Sequence, residues 1–221
     1  MAEFDESKHP RDKGGKFTDG SKTYYRQNAS YEEILATDRK LAGTIARADS
    51  GQYISTNPKQ FYESLLSAKQ TLPPERRWRV ADDHTEADYA HDKLIETYGG
   101  STVAVTPKGN IISVCRNIND SVRGKDLLKK AVEEGGNRLD AFGEGLYMFY
   151  TKQGFTPVSW TPFNSEYAPH DWMPEYGEEP VIFYKYTGEQ TGESYNDFIN
   201  RVKPHDSYDK AMDFRDEEML K

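Results

Sequence analysis

A predicted helix and the strand that follows it are encoded by Leu146-Tyr147-Met148-Phe149-Tyr150-Thr151-Lys152-Gln153-Gly154-Phe155. Gly154 ends the helix, because glycine adopts the left-handed conformation of a helix C-cap without strain. Phe155 is then expected to pack back under the helix, and the chain continues into a strand at residues 156–161. This junction indicates a domain in which helices cover a sheet.

Strands and helices alternate on both sides of this junction. Apolar runs bounded by glycine and proline predict strands at residues 78–81, 101–106, 110–116, 138–142, 156–161 and 181–186. Helical patterns predict helices at residues 83–98, 124–134 and 143–153. The order β-α-β-β-α-β-α-β-β implies an α/β fold, with a mixed and partly parallel central sheet flanked by helices.

The rest of the chain is more polar, and it divides into three predicted segments. Residues 1–22 read as a flexible charged tail, and residues 23–75 as a helical segment with helices at 31–48 and 58–70. Ser30 and Asn57 are the expected N-caps of these two helices. The α/β domain is predicted at residues 76–190, and residues 191–221 are predicted to form an acidic helical tail.

The composition argues against several classes of protein. Charged residues make up 30% of the chain, and the net charge of −8 opposes non-specific binding to nucleic acid. The sequence has no apolar run of the roughly 20 residues that span a bilayer, and its first 20 residues do not read as a secretory signal. Cys115 is the single cysteine, so an internal disulfide is excluded. Together these features favour a cytoplasmic protein that binds neither nucleic acid nor membrane.

Several short motifs, in this order, resemble the GNAT type of N-acyltransferase. The helix that ends in Tyr150 and Gly154-Phe155 is similar to the family's Tyr-x-x-x-Gly-Phe signature, and residues 110–114 resemble its central strand. The resemblance is closer to a phage-associated GNAT-like group, which also shares motifs at residues 131–140, 162–164, 168–169, 171–172 and 180–181. Residues 8–18, KHPRDKGGKFT, resemble an element that recurs in bacteriophage and prophage proteins.

This resemblance implies a cofactor and its place in the fold. In such enzymes acyl-CoA binds between two splayed central strands, and its diphosphate rests on amides at the start of the next helix. The implied cofactor is acetyl-CoA, and the scattered histidines of the sequence predict no metal site. The implied cofactor-binding residues are Val114, Arg116, Arg123, Gly124 and Lys125.

The loop before the helix at 124–134 departs from the family pattern. It holds one glycine, Gly124, whereas the family loop has the pattern Arg/Gln-x-x-Gly-x-Gly/Ala, with Ser121 here at the first position. Asp120 and Asp126 would repel a diphosphate, while Arg123 and Lys125 offset that charge. The alternative interpretation is an acid-capped helix that binds no phosphate.

Two residues are predicted to carry the chemistry. Tyr150 matches the tyrosine that protonates the leaving thiolate in many family members, and a phenol suits a general acid. Asp140 ends a buried strand and is the first choice for general base, although it equally fits a cap of the next helix. Other candidate bases are Glu144, His84 and His170. Cys115 is expected to be a buried, inert thiol.

Two functions follow from these patterns. The first is an acyl-CoA-dependent N-acyltransferase of phage origin, which acetylates an amine on a small molecule or protein in the host cytoplasm. The second is a non-catalytic GNAT-like accessory protein, virion-associated or not, that binds a phage or host partner. A third interpretation is an effector that modifies host components in another way.

Overall fold

The computed structural model describes residues 53–54, 56–80 and 84–221. The tail predicted at 1–22 and the helix predicted at 31–48 lie outside these residues. The described chain runs, in order, β1 Tyr53–Ile54, α1 Pro58–Gln70, α2 Pro74–Arg77, a 3-10 turn Glu86–Tyr89, β2 Lys93–Thr97, β3 Thr102–Val105, β4 Ile111–Cys115, α3 Gly124–Glu133, β5 Arg138–Phe142, α4 Gly143–Thr151, β6 Phe155–Thr161, β7 Val181–Tyr186, α5 Tyr195–Arg201 and α6 Tyr208–Glu218.

The seven strands of the described residues form two antiparallel sheets, here called the two halves of the sheet, that meet at one point. The first half has the order β1-β2-β3-β4 and the second the order β5-β7-β6. A single parallel bridge between Asn110 and Arg138 joins β4 to β5, where each strand begins. Beyond that bridge the structure records no further pairing of these two strands among the residues it describes. The fold is therefore mixed α/β, as the sequence predicts, but the predicted partly parallel pairing is limited to this one bridge in the residues that the structure describes.

The strands bury side chains on both faces of the sheet. In β5, Leu139 and Ala141 belong to the main core together with α3, α4 and α5. In β7, Val181 and Phe183 point to the opposite face, where Ala211 of α6 covers them. Because side chains alternate along a strand, Asp140 lies on this second face.

The local sequence accounts for most of the elements. The Asn57 side chain accepts a hydrogen bond from the Gln60 amide and caps α1, as predicted. Gly154 has a φ of +86°, so it ends α4 in the left-handed conformation that the sequence predicts. The predicted strand at 181–186 agrees with β7, and the predicted helix at 58–70 agrees with α1.

Two predicted elements are wrong. Residues 78–80 form turns after α2 instead of a strand, because the amides of Arg79 and Val80 bond back to Arg76 and Arg77. The predicted helix at 83–98 is a 3-10 turn followed by strand β2. Pairing of β2 with β3 over Lys93–Glu96 overrides the helical spacing, and the two glycines read as a helix stop instead form the hairpin turn between these strands.

The C-terminal helix packs against the second half of the sheet. Ser159 of β6 donates a hydrogen bond to the Ala211 carbonyl at 2.7 Å, and Lys185 of β7 donates to the Glu218 carbonyl at 3.1 Å. Ala211 and Arg215 are both buried. No helix in the described part of the chain is both long and apolar enough to cross a membrane.

Candidate functional site

A cleft of about 1700 Å³ opens where β4 and β5 separate. Its walls are β4, the end of β5, one side of α4, the start of the loop after β6 and the segment before α6. The predicted site residues Val114, Arg116, Asp140 and Tyr150 all line it. The fold therefore brings together both predicted catalytic residues and two of the five predicted cofactor-binding residues.

Strand β4 is bent within this cleft. Ser113 has a φ of +54°, a left-handed conformation that is uncommon outside glycine. The β3–β4 register shifts at the same place, so β4 carries an extra residue relative to its partner. The Ser113 hydroxyl is within 2.7 Å of the Tyr89 hydroxyl, which fixes the irregular strand to the 3-10 turn. A bulge in this position turns the β4 backbone away from a straight ladder beside the cleft.

Asp140 lines the cleft, and the residue is half-buried. Desolvation raises the pKa of this carboxyl above its ordinary value, while the Arg215 guanidinium and a hydrogen bond from Tyr208 act in the opposite direction. A carboxyl with a raised pKa is a better proton acceptor than an ordinary aspartate. Asp140 does not cap α4, whose N-cap residue Phe142 makes no side-chain hydrogen bond.

Tyr150 stands on the opposite side of the cleft, on α4. Its side chain is 6% exposed, and its hydroxyl makes no hydrogen bond to any residue that the structure describes. Burial, and then the charge of Asp140, raise the pKa of Tyr150 above its ordinary value. The phenol therefore keeps its proton over the whole physiological pH range, as a proton donor must.

The start of α3 does not line the cleft, but it contacts helix α4, which carries Tyr150. Within the described chain, the backbone amides of Arg123, Gly124 and Lys125 have no hydrogen-bond acceptor, as expected for the first turn of a helix. A Cβ added at Gly124 would sit 3.3 Å from the ring of Phe149, so glycine lets α4 approach closely. Asp126 does not bind these amides. Its carboxylate accepts from the Arg123 guanidinium at 3.2 Å.

Asp120 has a structural role in the loop before α3. The side chain is 3% exposed and accepts hydrogen bonds from the hydroxyls of Thr97 and Ser101 and from the amide of Val122. Arg116 supports the same loop, since its guanidinium donates to the carbonyls of Asp120 and Val122 at 2.9 and 3.0 Å. The charged group of Arg116 is thus occupied by the loop, although the residue lines the cleft.

The remaining candidate residues divide by position. His84 and His170 line the cleft, whereas Glu144 is exposed on the first turn of α4 and does not. Cys115 is 1% exposed, and burial raises the pKa of its thiol to about 12. This thiol is protonated at neutral pH, which agrees with the expectation of an inert cysteine.

The loop between β6 and β7, residues 162–180, covers one end of the cleft. Two ion pairs join it to residues that precede β2: Lys69 to Asp171 at 3.0 Å, and Arg79 to Glu179 at 2.6 Å. Gly143, with a φ of +69°, leaves room for the Glu179 carboxyl, which a Cβ there would approach to 2.4 Å. The loop is therefore tied to the body of the protein at its middle and near its C-terminal end.

Aromatic residues fill the space beneath this loop. Phe163 and Trp172 pack at 4.8 Å between ring centroids, and the fully buried Trp78 packs against Phe142 at 4.9 Å. Tyr167 lines the cleft mouth and is 82% exposed. The sequence offers two roles for the loop aromatics, pocket wall or partner-binding surface, and Tyr167 occupies a position that serves either.

Tyr208 and Arg215 of α6 also act on the candidate site, although no sequence pattern predicts a role for either. Both act on Asp140 from a part of the chain that reads as a polar tail. An arginine in an acidic helix carries no local signal that it is buried, so no pattern in the sequence identifies Arg215.

Among the described residues, no group of three or more His, Cys, Asp or Glu side chains could hold a metal ion. Comparison of the chain with models of protein families, with curated proteins and with solved structures found no match.

Proposed function

We propose that this protein is an acyl-CoA-dependent N-acyltransferase of the GNAT type. One observation carries the proposal: β4 and β5 touch at a single parallel bridge and then separate, and the cleft between them holds Asp140 on one side and Tyr150 on the other. A proton acceptor and a proton donor that face one cavity are what amine acylation requires.

The path of the chain supports the fold family. Helices α1 and α2 lie between β1 and β2, α3 lies between β4 and β5, and β7 returns to pair between β5 and β6. The order of strand β4, helix α3, strand β5 and the helix that ends before Gly154-Phe155 supports the resemblance. These features are independent of the departures in the loop before α3.

The first turn of α3 suits the diphosphate of an acyl donor better than the sequence of the preceding loop suggests. Three backbone amides there, those of Arg123, Gly124 and Lys125, lack an acceptor in the described chain, and helix N-termini attract phosphate. The exposed Lys125 adds positive charge, while Asp120 is turned inward and bonded to other donors. The donor supplies an activated thioester, and these groups would hold its diphosphate.

In the proposed reaction, each polar side chain moves one proton. Asp140 accepts a proton from the attacking amine while the new N–C bond forms. Tyr150 donates its proton to the departing sulfur as the C–S bond breaks. Burial keeps Tyr150 protonated before its step, and the raised pKa of Asp140 makes its carboxylate a stronger proton acceptor once it is ionised.

Calorimetric titration with acetyl-CoA tests the proposal directly. We expect saturable binding by the native protein and its loss in Gly145→Leu, because Gly145 lines the cleft and has open space where a side chain would project. Gly192→Leu is the matched control, since that exposed glycine also has open space but lies outside the cleft lining. Absence of binding by native protein at millimolar acetyl-CoA overturns the proposal.

Turnover is the second stage of the same test. Release of the CoA thiol from acetyl-CoA would be followed with amino acids, polyamines, aminoglycosides and peptides as acceptors. We expect at least one class of primary amine to accelerate release in the native protein but not in Gly145→Leu.

Two arginines near the proposed diphosphate site are already bonded within the protein. This observation favours a second candidate function, a partner-binding accessory protein without catalysis. Arg116 is bound to loop carbonyls, and Arg123 is paired with Asp126, so neither guanidinium is ready for a diphosphate. Under this alternative the exposed Tyr167 and its loop would contact a partner. Binding of acetyl-CoA that depends on the cleft decides against it.

A further inference from the structure

The C-terminal helix brings two polar side chains to the face of the sheet on which Asp140 lies. Asp140 and Phe183 are register partners on β5 and β7, so their side chains share this face. The ring of Tyr208 packs edge-on against Phe183 at 4.9 Å, and a hydrogen bond from Tyr208 acts to lower the pKa of Asp140. The Arg215 guanidinium lies 5.7 Å from the centre of the same Phe183 ring. Residues seven positions apart on α6 thus both pack over Phe183, the strand residue that pairs with Asp140.

Arg215 is buried in a way that requires a reason. Its side chain is 2% exposed, and arginine is seldom buried unless it is paired. Arg215 contacts Asp216 at 2.9 Å, but Asp216 also binds Arg138 at 3.0 Å. One carboxylate therefore serves two guanidinium groups, and the positive charge exceeds the negative charge at this point. Asp140 is a second carboxyl on which Arg215 acts.

We infer that Tyr208 and Arg215 are positioning residues that hold the Asp140 carboxyl in the cleft, and that α6 is therefore part of the candidate active site. The catalytic role of these residues rests on the proposed function. Their arrangement around Asp140 does not depend on it. Arg215 also reaches Asn110 at 3.5 Å, beside the bridge that joins β4 to β5. One buried side chain thereby contacts the point at which the cleft begins.

Other ionisable groups around Asp140 do not substitute for this pair. Tyr150 of α4 and Tyr184 of β7 are phenols whose pKa is raised by burial, so both are neutral. On the cleft wall the Arg116 guanidinium is bound to loop carbonyls, and His205 packs on Phe214.

Two carboxylates near α6 complete the surroundings. Asp206 forms an ion pair with Lys210 at 2.9 Å, and Asp209 lines the cleft with Asp206. Neither can donate a hydrogen bond to Asp140 when ionised. Of the groups that the structure describes here, Arg215 and Tyr208 are the ones that favour the ionised form of Asp140.

The pair has a defined chemical consequence. A desolvated aspartate tends to remain protonated, and a protonated carboxyl cannot accept a proton from an amine. A hydrogen bond from Tyr208 and the charge of Arg215 both stabilise the carboxylate. The helix thus offsets part of the rise in the pKa of Asp140 that burial causes.

Carbon-detected NMR of the side-chain carboxyl groups tests the inference on the full chain, without an acyl donor. The Asp140 resonance is assigned by its loss in Asp140→Asn, and its titration is followed in Tyr208→Phe, Arg215→Met and Arg215→Lys. We expect the apparent pKa of Asp140 to move upward in Tyr208→Phe and Arg215→Met, and to return towards the native value in Arg215→Lys. Arg201→Met, which removes a guanidinium paired with Glu193 on α5, is the control and leaves the titration unchanged.

An unchanged Asp140 titration in Tyr208→Phe overturns the inference. That variant decides the matter even if Arg215→Met does not fold, because Tyr208 is 44% exposed and loses only a hydroxyl. The outcome is separate from that of the proposed function, which fails when acetyl-CoA does not bind. Where turnover is observed, the pH profile of kcat/KM shifts to higher pH in Tyr208→Phe, while the KM for acetyl-CoA stays constant.

Discussion

The loop before α3 and the end of β5 each carry an aspartate, and the two surroundings differ. Asp120 is enclosed, and three donors from two chain segments satisfy its oxygens. Asp140 is also desolvated, but it faces a large cavity and is held by a tyrosine and a buried arginine. A carboxylate saturated by neutral donors stabilises a loop. One that retains an open side in a cleft is available for chemistry.

The sharpest way to separate these roles is Asp140→Asn. We expect the rate of CoA release in the presence of an amine to fall by about 10²- to 10⁴-fold, the usual contribution of a general base. The unfolding midpoint in urea should stay close to native, because asparagine retains the shape of the side chain. A rate within twofold of native would remove Asp140 from the mechanism.

The reverse pattern is expected for Asp120→Ala. Three donors lose their acceptor in a buried loop, which costs about 3 kcal/mol or more of unfolding free energy at roughly 1–3 kcal/mol for each unsatisfied group. Urea denaturation followed by circular dichroism measures this loss. Asp126→Ala is the control, since its exposed pair with Arg123 contributes within about 0.5 kcal/mol. A native-like midpoint for Asp120→Ala would contradict the comparison.

Two tyrosines of α4 differ in the same way as Asp120 and Asp140: one is hydrogen-bonded within the protein and the other lines the cleft. The Tyr147 hydroxyl donates to the Glu193 carbonyl at 3.1 Å, whereas the Tyr150 hydroxyl has no partner in the described chain. We expect Tyr150→Phe to lower kcat about 10- to 100-fold with little change in stability. Tyr147→Phe should lower stability by about 1 kcal/mol and leave kcat unchanged. Equal kinetic effects in the two variants would show that neither phenol acts as the acid.

The smallest effect concerns the pH dependence of stability. Because the folded-state pKa of Asp140 is raised, this residue favours the folded state below pH 4, near its unfolded pKa. That contribution is lost as the pH rises through the folded-state pKa. The unfolding free energy of the native protein minus that of Asp140→Asn should therefore be larger at pH 4 than at pH 7, by urea titration at both values. An opposite sign would mean that Arg215 and Tyr208 outweigh desolvation.

Local sequence predicts the elements whose ends are marked by glycine or by side-chain caps. The helix at 58–70 and the strand at 181–186 agree with the structure, and β5 agrees with its predicted residues 138–142. Strand β2 was missed because its apolar residues also fit a helical period, and its strand form depends on pairing with β3. Strand β1, with two residues, has too little pattern to be recognised.

The candidate site was predictable only in part. Asp140 was proposed because it ends a buried strand, and Tyr150 because it matches the family tyrosine before Gly154-Phe155. Their meeting in one cleft depends on the separation of β4 from β5, which no local pattern encodes. The roles of Tyr208 and Arg215 depend on where a distant helix docks, and the fastening of Asp120 depends on hydroxyls about 20 residues earlier.

The last strand of the sheet, β7, lies between β5 and β6, although both precede it in the chain. The connection that precedes it exposes Tyr167, while Asp171 and Glu179 remain tied to Lys69 and Arg79 on the other side of that point. A backbone cut after Tyr167 would therefore yield two pieces, neither of which can complete the second half of the sheet alone. Restoring that half of the sheet would require the two pieces to pair again through β7.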